Sequence, residues 1–499
     1  MGRASGKPTV AVIGAGPGGI AMGALLAEGG YEFRIFDRAD GFGGTWRHNT
    51  YPGAACDVPS HLYSYSFALN PHWSKTYANQ PEILDYLERV ARTRGLIEHL
   101  VSGTPVRRLI WSDRDHRWAL HTEHGEVHEF DVVVTAVGML DVPFVPDIPG
   151  AERYGGRVFH SSAWDHSRPT TGERVASIGT GASAIQYVPA IAADTAHLTV
   201  FQRSPTWVSP RIDDPYTADQ QALFARNPFE AKKIRDAAFE QYEMADFAED
   251  ARQTRASTKH ARAYIDLEIA DPILRAKLTP TYPVGCKRPL LSSDWLQTFT
   301  LPNVSLETSP IVGFTDSGLR TADGVEHVVD TVIYGTGFRA ADYLATLQVC
   351  GRDGATLDED WRDGAEAYLG TAVPGYPNLF TLYGPNTNGV TSIIYILEAQ
   401  ANYVRQLLDN MSQHRVRSVE VRRDIHDRYN FDIQSAMVGT VWISLASQPI
   451  LSAVSLDTRL FRMTQGRQQV REWSAKSALM MLWMRVRGID GIALLRQQR

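Results

Sequence analysis

The stretch that most constrains this chain is Thr9 to Asp37, TVAVIGAGPGGIAMGALLAEGGYEFRIFD. Val10, Val12 and Ile13 form an apolar run ending in Gly14-Ala15-Gly16-Pro17-Gly18-Gly19, a helix-forming stretch follows, and a second strand-like run closes on Asp37. A glycine triplet of this spacing is common by itself. Set between a strand and a helix, with an acid ending the next strand, it calls for a parallel βαβ unit that holds a dinucleotide. Gly14 is expected to make the tight turn, Gly16 to let a pyrophosphate reach the backbone, and Gly19 to let helix and strand pack closely. The helix N-terminus favours the phosphate, and Asp37, 23 residues after Gly14, can accept from a ribose hydroxyl.

At 499 residues the chain is long for one core and suits two or three domains. A net charge of -6 gives no reason to expect nucleic acid as a partner. The three cysteines, Cys56, Cys286 and Cys350, lie far apart with no CxxC, which argues against a disulfide framework, a metal site or a dithiol pair and favours the cytoplasm. The N-terminus passes into a strand without the apolar core of a signal peptide. Near the other end, Ser477 to Met484 is apolar but too short to span a bilayer. With the surrounding arginines it is expected to form a basic helical tail packed on its own domain, weak contact with a membrane surface being the alternative.

Gly41 to Phe67 is an irregular stretch rich in glycine and aromatics, with one acid, Asp57; so placed, it is expected to contact a ligand. Gln80 to Arg94 reads as an amphipathic helix, and the proline-rich run Pro143 to Pro149 as a domain exit. A second fingerprint follows in Arg174 to Ala190, where Gly179-Thr180-Gly181-Ala182-Ser183-Ala184 keeps the first two glycines and ends in alanine. The next strand runs into Gln202-Arg203-Ser204, so a cation stands where Asp37 stands in the first unit. An arginine favours a ribose 2′-phosphate and a carboxylate repels it. The second site is therefore read as NADPH and the first as FAD. Ala218 to Leu278 is expected to be a helical insertion. In Tyr282 to Leu291, neighbouring Lys287 and Arg288 would point opposite ways and serve different partners. Thr331 to Phe338 is an apolar strand entering a glycine turn, suggesting a return to the first sheet, and Gly384 to Gly389 is a loop before a helix whose N-terminus could face a flavin.

Between the fingerprints lie Tyr154, Gly156, His160, Trp164 and Asp165. With both nucleotide units in hand, this spacing resembles the signature of the class B flavoprotein monooxygenases, specifically the Baeyer-Villiger monooxygenases, with Tyr154 replacing a phenylalanine. Gly43-Gly44-Thr45-Trp46, Tyr51-Pro52-Gly53, Cys56-Asp57, Lys287-Arg288 and the Gly384 to Asn388 loop are similar to that family as well. The resemblance implies an α/β fold with two Rossmann-like dinucleotide-binding domains, for FAD and NADP, the second inserted in the first.

The expected order is 1–145 and 329–460 for FAD, 146–215 and 281–328 for NADP, 216–280 for the insertion, and 461–499 for the tail. The resemblance also implies Gly14, Gly16, Gly19, Asp37, Gly44, Thr45, Trp46, Asp57, Tyr63 and Asn386 at FAD. For NADPH it implies Gly179, Thr180, Gly181, Ser183, Ala184, Arg203, Ser204 and Lys287. It further implies reaction of O2 with reduced flavin and attack of a C4a-peroxyflavin on a ketone to give an ester or lactone. Arg288 would hold the negative charge and Asp57 would orient it; thioethers are an expected second substrate class. An N- or S-oxygenating enzyme and an uncoupled NADPH oxidase are the alternative readings. His160 and Trp164 are assigned to coupling between domains. One departure stands out: after Trp442 the chain reads Ile443 to Met463, without the Cys-x-Ser-Trp-Tyr segment usual in the family.

Overall fold

The computed structural model describes residues 6–244, 251–387, 391–436 and 495–498. Two five-stranded parallel sheets carry the architecture. In the first, Val10–Ile13 is central, flanked by Phe33–Phe36 and Val132–Thr135, with Leu100–Val101 and Leu379–Thr381 outermost. Val10–Ile13 and Val132–Thr135 are buried along their whole length, as their unbroken apolar character requires of strands covered on both faces. One face packs on helices Pro17–Glu28, Gln80–Thr93 and Ile393–His414. The other packs on a smaller mixed sheet built from Gln348–Cys350, Val106–Ser112, Arg117–Thr122 and Val127–Phe130. Each large apolar side chain so buried contributes roughly 1.5–3 kcal/mol.

The second sheet runs Val304–Glu307, His197–Phe201, Arg174–Ile178, Thr331–Tyr334, Arg157–His160, all parallel. Thr331–Tyr334 therefore does not return the chain to the first sheet, which corrects the expected boundary at 329. It is buried throughout and lies beside the strand of the second fingerprint, with Tyr334 opposite Ile178. An apolar strand entering a glycine turn satisfies either sheet locally, and pairing chose the second. The first sheet resumes with Leu379–Thr381. The chain crosses between the sheets twice, and the two crossings run side by side: Phe144 N–H donates to Gly337 O at 2.8 Å and Arg339 N–H to Val142 O at 2.8 Å.

The insertion comprises helices Ala218–Arg226, Pro228–Met244, Ala251–Glu268 and Pro272–Leu278. The first begins with a reciprocal cap, Thr217 and Gln220 each bonding the other's backbone N–H. Ala261, Ile265 and Ile269 join the core of the second unit, while Ala238 and Phe239 pack on that of the first. Arg235 and Glu398, both buried, pair at 3.1 Å across this junction.

The tail differs from expectation where it is described. Leu495–Gln498 is a strand, antiparallel to Ser418–Val421, and not helical; on the other edge of Ser418–Val421, Val419 N–H donates to Asn378 Oδ1 and its carbonyl accepts from Asn378 N–H. The segments Ile443 to Met463 and Ser477 to Met484 lie outside the described residues. Among the described residues no helix is long and apolar enough to cross a membrane.

Candidate active site

The first fingerprint is built as its spacing demands. Gly14 has φ +108°, and a Cβ there would lie 2.4 Å from Ala136 O; one at Gly19 would lie 1.9 Å from Gly14 O. Only hydrogen fits at either point, so strand, turn and helix close on one another. Asp37 accepts from Ala15 N–H at 2.6 Å through one carboxylate oxygen and from Ala39 N–H at 2.7 Å through the other. That clamps the end of its strand against the fingerprint turn. Gly44 approaches Gly16 closely enough that a Cβ would meet Gly16 Cα at 2.7 Å. Thr45 and Trp46 follow in a one-turn helix, Thr45–His48. The Trp46 indole N–H donates to the Tyr63 hydroxyl at 2.8 Å, and the two rings meet edge to face. Burial raises the Tyr63 phenol well above its usual range, so it stays a neutral hydroxyl.

The second fingerprint repeats the turn: Gly179 has φ +114° and its Cβ would lie 2.4 Å from Gly335 O. Thr331–Tyr334 thus does for this turn what Val132–Thr135 does for the first. Gly181 differs in having nothing within 4 Å of a Cβ, leaving its backbone open to a ligand. Ser183 precedes helix Ala184–Ala192, whose first residue is buried. Thr180 Oγ1 donates to Ser204 O at 3.0 Å, and Lys287 Nζ donates to Ser204 Oγ at 2.9 Å. Lys287 also lies over the Tyr282 ring, 5.0 Å from its centroid. Burial and then the charge of Arg203 lower its pKa. Arg203 itself is exposed at the end of its strand. Thr180, Arg203, Ser204 and Lys287 make a cationic, hydroxyl-bearing rim suited to a phosphate.

Both fingerprints open into one cleft of roughly 2400 Å³. On its wall Arg288 Nε and Nη2 reach Asp57 Oδ2 at 3.0 and 2.8 Å. Lys287 and Arg288 diverge, one toward Ser204 and the other toward Asp57, but they do so where the chain bends after a turn at 284–285 and not by the alternation of an extended segment. Cys56 is buried beside this pair, and its thiol is pushed up first by burial and then by the Asp57 charge, which keeps it protonated. Of the residues singled out from sequence, Gly14, Gly16, Asp37, Gly44, Thr45, Trp46, Asp57 and Tyr63 line the cleft from the first unit. Gly179, Thr180, Gly181, Ser183, Arg203, Ser204, Lys287 and Arg288 line it from the second.

Gly19, Ala184 and Asn386 stand outside that lining. The first two act behind the surface, in helix packing. Asn386 is buried at φ +62° and donates through Nδ2 to Asn430 Oδ1 at 3.4 Å. The helix after its loop is Ile393–His414, and its start reaches the cleft through Thr391, Ile393 and Leu397. Asn388 and Gly389 lie outside the described residues.

His160 packs against Phe338 of the returning crossing, 5.6 Å between centroids, and its Nδ1 accepts from Ser162 N–H at 3.1 Å. Trp164 packs on Tyr187 of the second nucleotide helix at 5.4 Å. Sequence reasoning missed Tyr77, Gln186 and Tyr383 as cleft residues. None belongs to a spacing pattern that could have announced it.

The family model for flavin-binding monooxygenase-like proteins matches residues 7–244. A Baeyer-Villiger monooxygenase of Streptomyces coelicolor is 43% identical over 446 residues, covering 87% of this chain and 84% of that protein. Another, of Pseudomonas aeruginosa, is 40% identical over 437 residues, covering 87% and 83%. The crystal structure of cyclohexanone monooxygenase from Rhodococcus sp. Phi1 bound to NADP+ superposes with a TM-score of 0.84 at 28% identity, covering 98% of this chain and 99% of that one. With two glycine-turn dinucleotide units facing one cleft and an arginine-carboxylate pair between them, the chain belongs to the flavin-binding monooxygenases of the Baeyer-Villiger type, enzymes dependent on FAD and NADPH.

Proposed function

We propose that the enzyme converts small ketones to esters or lactones, with Arg288 holding the negative charge that develops during oxygen insertion and Asp57 fixing the guanidinium that does so. FAD, once reduced by NADPH, supplies the oxygen activation; the chain supplies binding, orientation and field. Both dinucleotides fit the residues present. Gly14 and Gly179 sit in turns that a Cβ would fill, Gly181 leaves backbone open at a helix start, and the two units offer groups of opposite sign, Asp37 and Arg203, at their strand ends.

The observation that carries the reading is the Arg288–Asp57 pair on the wall of the shared cleft. A guanidinium stays charged at any working pH and holds an anion without surrendering a proton. Asp57 takes both donors on one oxygen, which restricts rotation of the arginine plane. Nearby, Tyr383 is raised by burial, so it remains a neutral group and does not compete as a base. Lys287 and Arg203 are assigned to the NADPH phosphate, and Trp46 and Tyr63 to the flavin. We place the enzyme in the cytoplasm, on its scattered cysteines, with weak membrane-surface contact of the tail as an alternative.

The test follows NADPH oxidation by the flavin-loaded enzyme with a cyclic ketone, an aryl ketone and a thioether, assaying ester, sulfoxide and hydrogen peroxide together. Arg288→Ala is expected to lower ester formation about 10²–10³-fold, while NADPH is still consumed with release of peroxide. Ester formation that survives within about tenfold would overturn the assignment. Sulfoxide alone from the wild-type enzyme would favour a heteroatom oxygenase, and peroxide alone an oxidase.

A further inference from the structure

One side chain joins the second nucleotide helix to the loop that delivers Asp57. Gln186 lies in helix Ala184–Ala192, two residues after its start. Its Oε1 accepts from the Tyr51 hydroxyl at 3.0 Å and from Ala55 N–H at 3.4 Å, and its Nε2 donates to Ala55 O at 3.0 Å. The contact is close at Gly53 as well. Gly53 has φ +77°, and a Cβ there would lie 2.7 Å from Gln186 O, so loop and helix meet backbone to backbone. The other side of the loop is held by the first unit: Cys56 N–H donates to Ala78 O at 3.0 Å and Gln80 N–H to Ala54 O at 2.9 Å. Gln80 in turn bonds the Trp46 carbonyl.

Ala55 is thus clamped between the two dinucleotide units, two residues before the carboxylate that orients Arg288. Tyr51 senses the same surroundings. Its phenol is raised by burial and by the Asp57 charge and lowered by the Ser183 hydroxyl. Its ring meets Tyr187, on which Trp164 packs.

We propose that Gln186 is a positioning residue: it ties the geometry of the Asp57–Arg288 pair to how the second nucleotide is seated. The proposal rests on the roles assigned above to Asp57 and Arg288. Gly181 and Ser183, assigned to the second nucleotide, lie directly before this helix, and Gln186, which grips Ala55, lies in its first turn. A ligand that orders the helix therefore orders the loop, and the coupling runs in both directions.

Amide hydrogen exchange of the flavin-loaded enzyme, read on peptides covering residues 51–60, tests this with and without saturating NADP+. In the wild type NADP+ is expected to slow exchange at least about threefold. Gln186→Leu is expected to abolish that slowing and to weaken NADP+ binding by about the same factor, and Tyr51→Phe to reduce the slowing in part. During turnover Gln186→Leu is expected to raise the peroxide share of the NADPH consumed several-fold, and to add nothing in an Arg288→Ala background. Unchanged NADP+-dependent slowing in Gln186→Leu, or a further loss of coupling on top of Arg288→Ala, would overturn the proposal. Ester formation that survives Arg288→Ala overturns instead the reading of the pair. Loss of ester in that variant, with slowing retained in Gln186→Leu, overturns only the role of Gln186.

Discussion

The two nucleotide units share a turn and differ in everything built around it. In the first, helix Pro17–Glu28 is buried over most of its length, with helix Ile393–His414 packed on it, and both oxygens of Asp37 are engaged by backbone. Gly16 has Gly44 pressed on it. In the second, Gly181 faces open space, residues 181 and 182 are exposed, and Arg203 projects from the rim. An enclosed site with a preformed acceptor suits a cofactor that stays; an open site with an exposed cation suits one that exchanges at each turnover. The same local fold is thus enclosed in one unit and open in the other, according to what tertiary structure adds to it.

The comparison can be broken at its strongest point by adding one methyl group to each fingerprint. Gly14→Ala places a Cβ 2.4 Å from a carbonyl oxygen at φ +108°. It is expected to cut flavin content, read as the ratio of 450 to 280 nm absorbance, to about a tenth or less, the backbone penalty alone being about 1–3 kcal/mol. Gly181→Ala, with nothing within 4 Å, should keep its flavin and raise the KM for NADPH about tenfold. Equal flavin loss in both variants would erase the distinction.

A smaller effect sharpens it. Arg203→Ala should lower the preference for NADPH over NADH about 10–100-fold, as expected for losing a charge-assisted bond of about 1.5–3 kcal/mol, and leave flavin content untouched. An unchanged cofactor preference would refute the assignment of the second site.

The smallest expected effect at neutral pH lies on the seam between the first unit and the insertion. His61 is fully buried against Tyr216 and Phe224, with ring centroids 5.3 and 4.8 Å away, and neither ring nitrogen has a protein partner. Burial lowers its pKa to about 4. Between the ordinary histidine value and that figure the unfolded chain binds a proton that the folded chain refuses, so stability rises with pH across the window. The contribution is present above about pH 6.5, amounts to roughly 3 kcal/mol at most, and is lost as pH falls through about 4. His61→Phe should therefore match the wild-type Tm near pH 7.5 and exceed it near pH 4.5. Parallel Tm curves would remove His61 from the account.

How much of this was legible in the sequence depends on how far apart the cooperating residues lie. Gly14, Gly19 and Asp37 announce a turn, a packed helix and a strand end because all three act inside one βαβ unit. Arg203 is legible for the same reason. Arg288 and Asp57, 231 residues apart, have no spacing that predicts their meeting, and only the resemblance to a family named them together. Gln186 is one glutamine on an ordinary helix face, and its partners Tyr51 and Ala55 precede it by more than a hundred residues. The resemblance names Asn386 for the flavin; what the fold adds is its buried contact with Asn430, 44 residues away.

By itself, residue order determined that this protein contains two strand-turn-helix units with opposite charges at the ends of their second strands, because those features arise from steric and electrostatic demands within about thirty residues. Tertiary structure alone decided that Thr331–Tyr334 joins the second sheet, that the insertion bridges both cores, that Asp57 meets Arg288, and that Gln186 meets Ala55. Those outcomes depend on strand pairing and side-chain packing across long separations, where a local pattern fits more than one partner and burial of the whole chain selects among them.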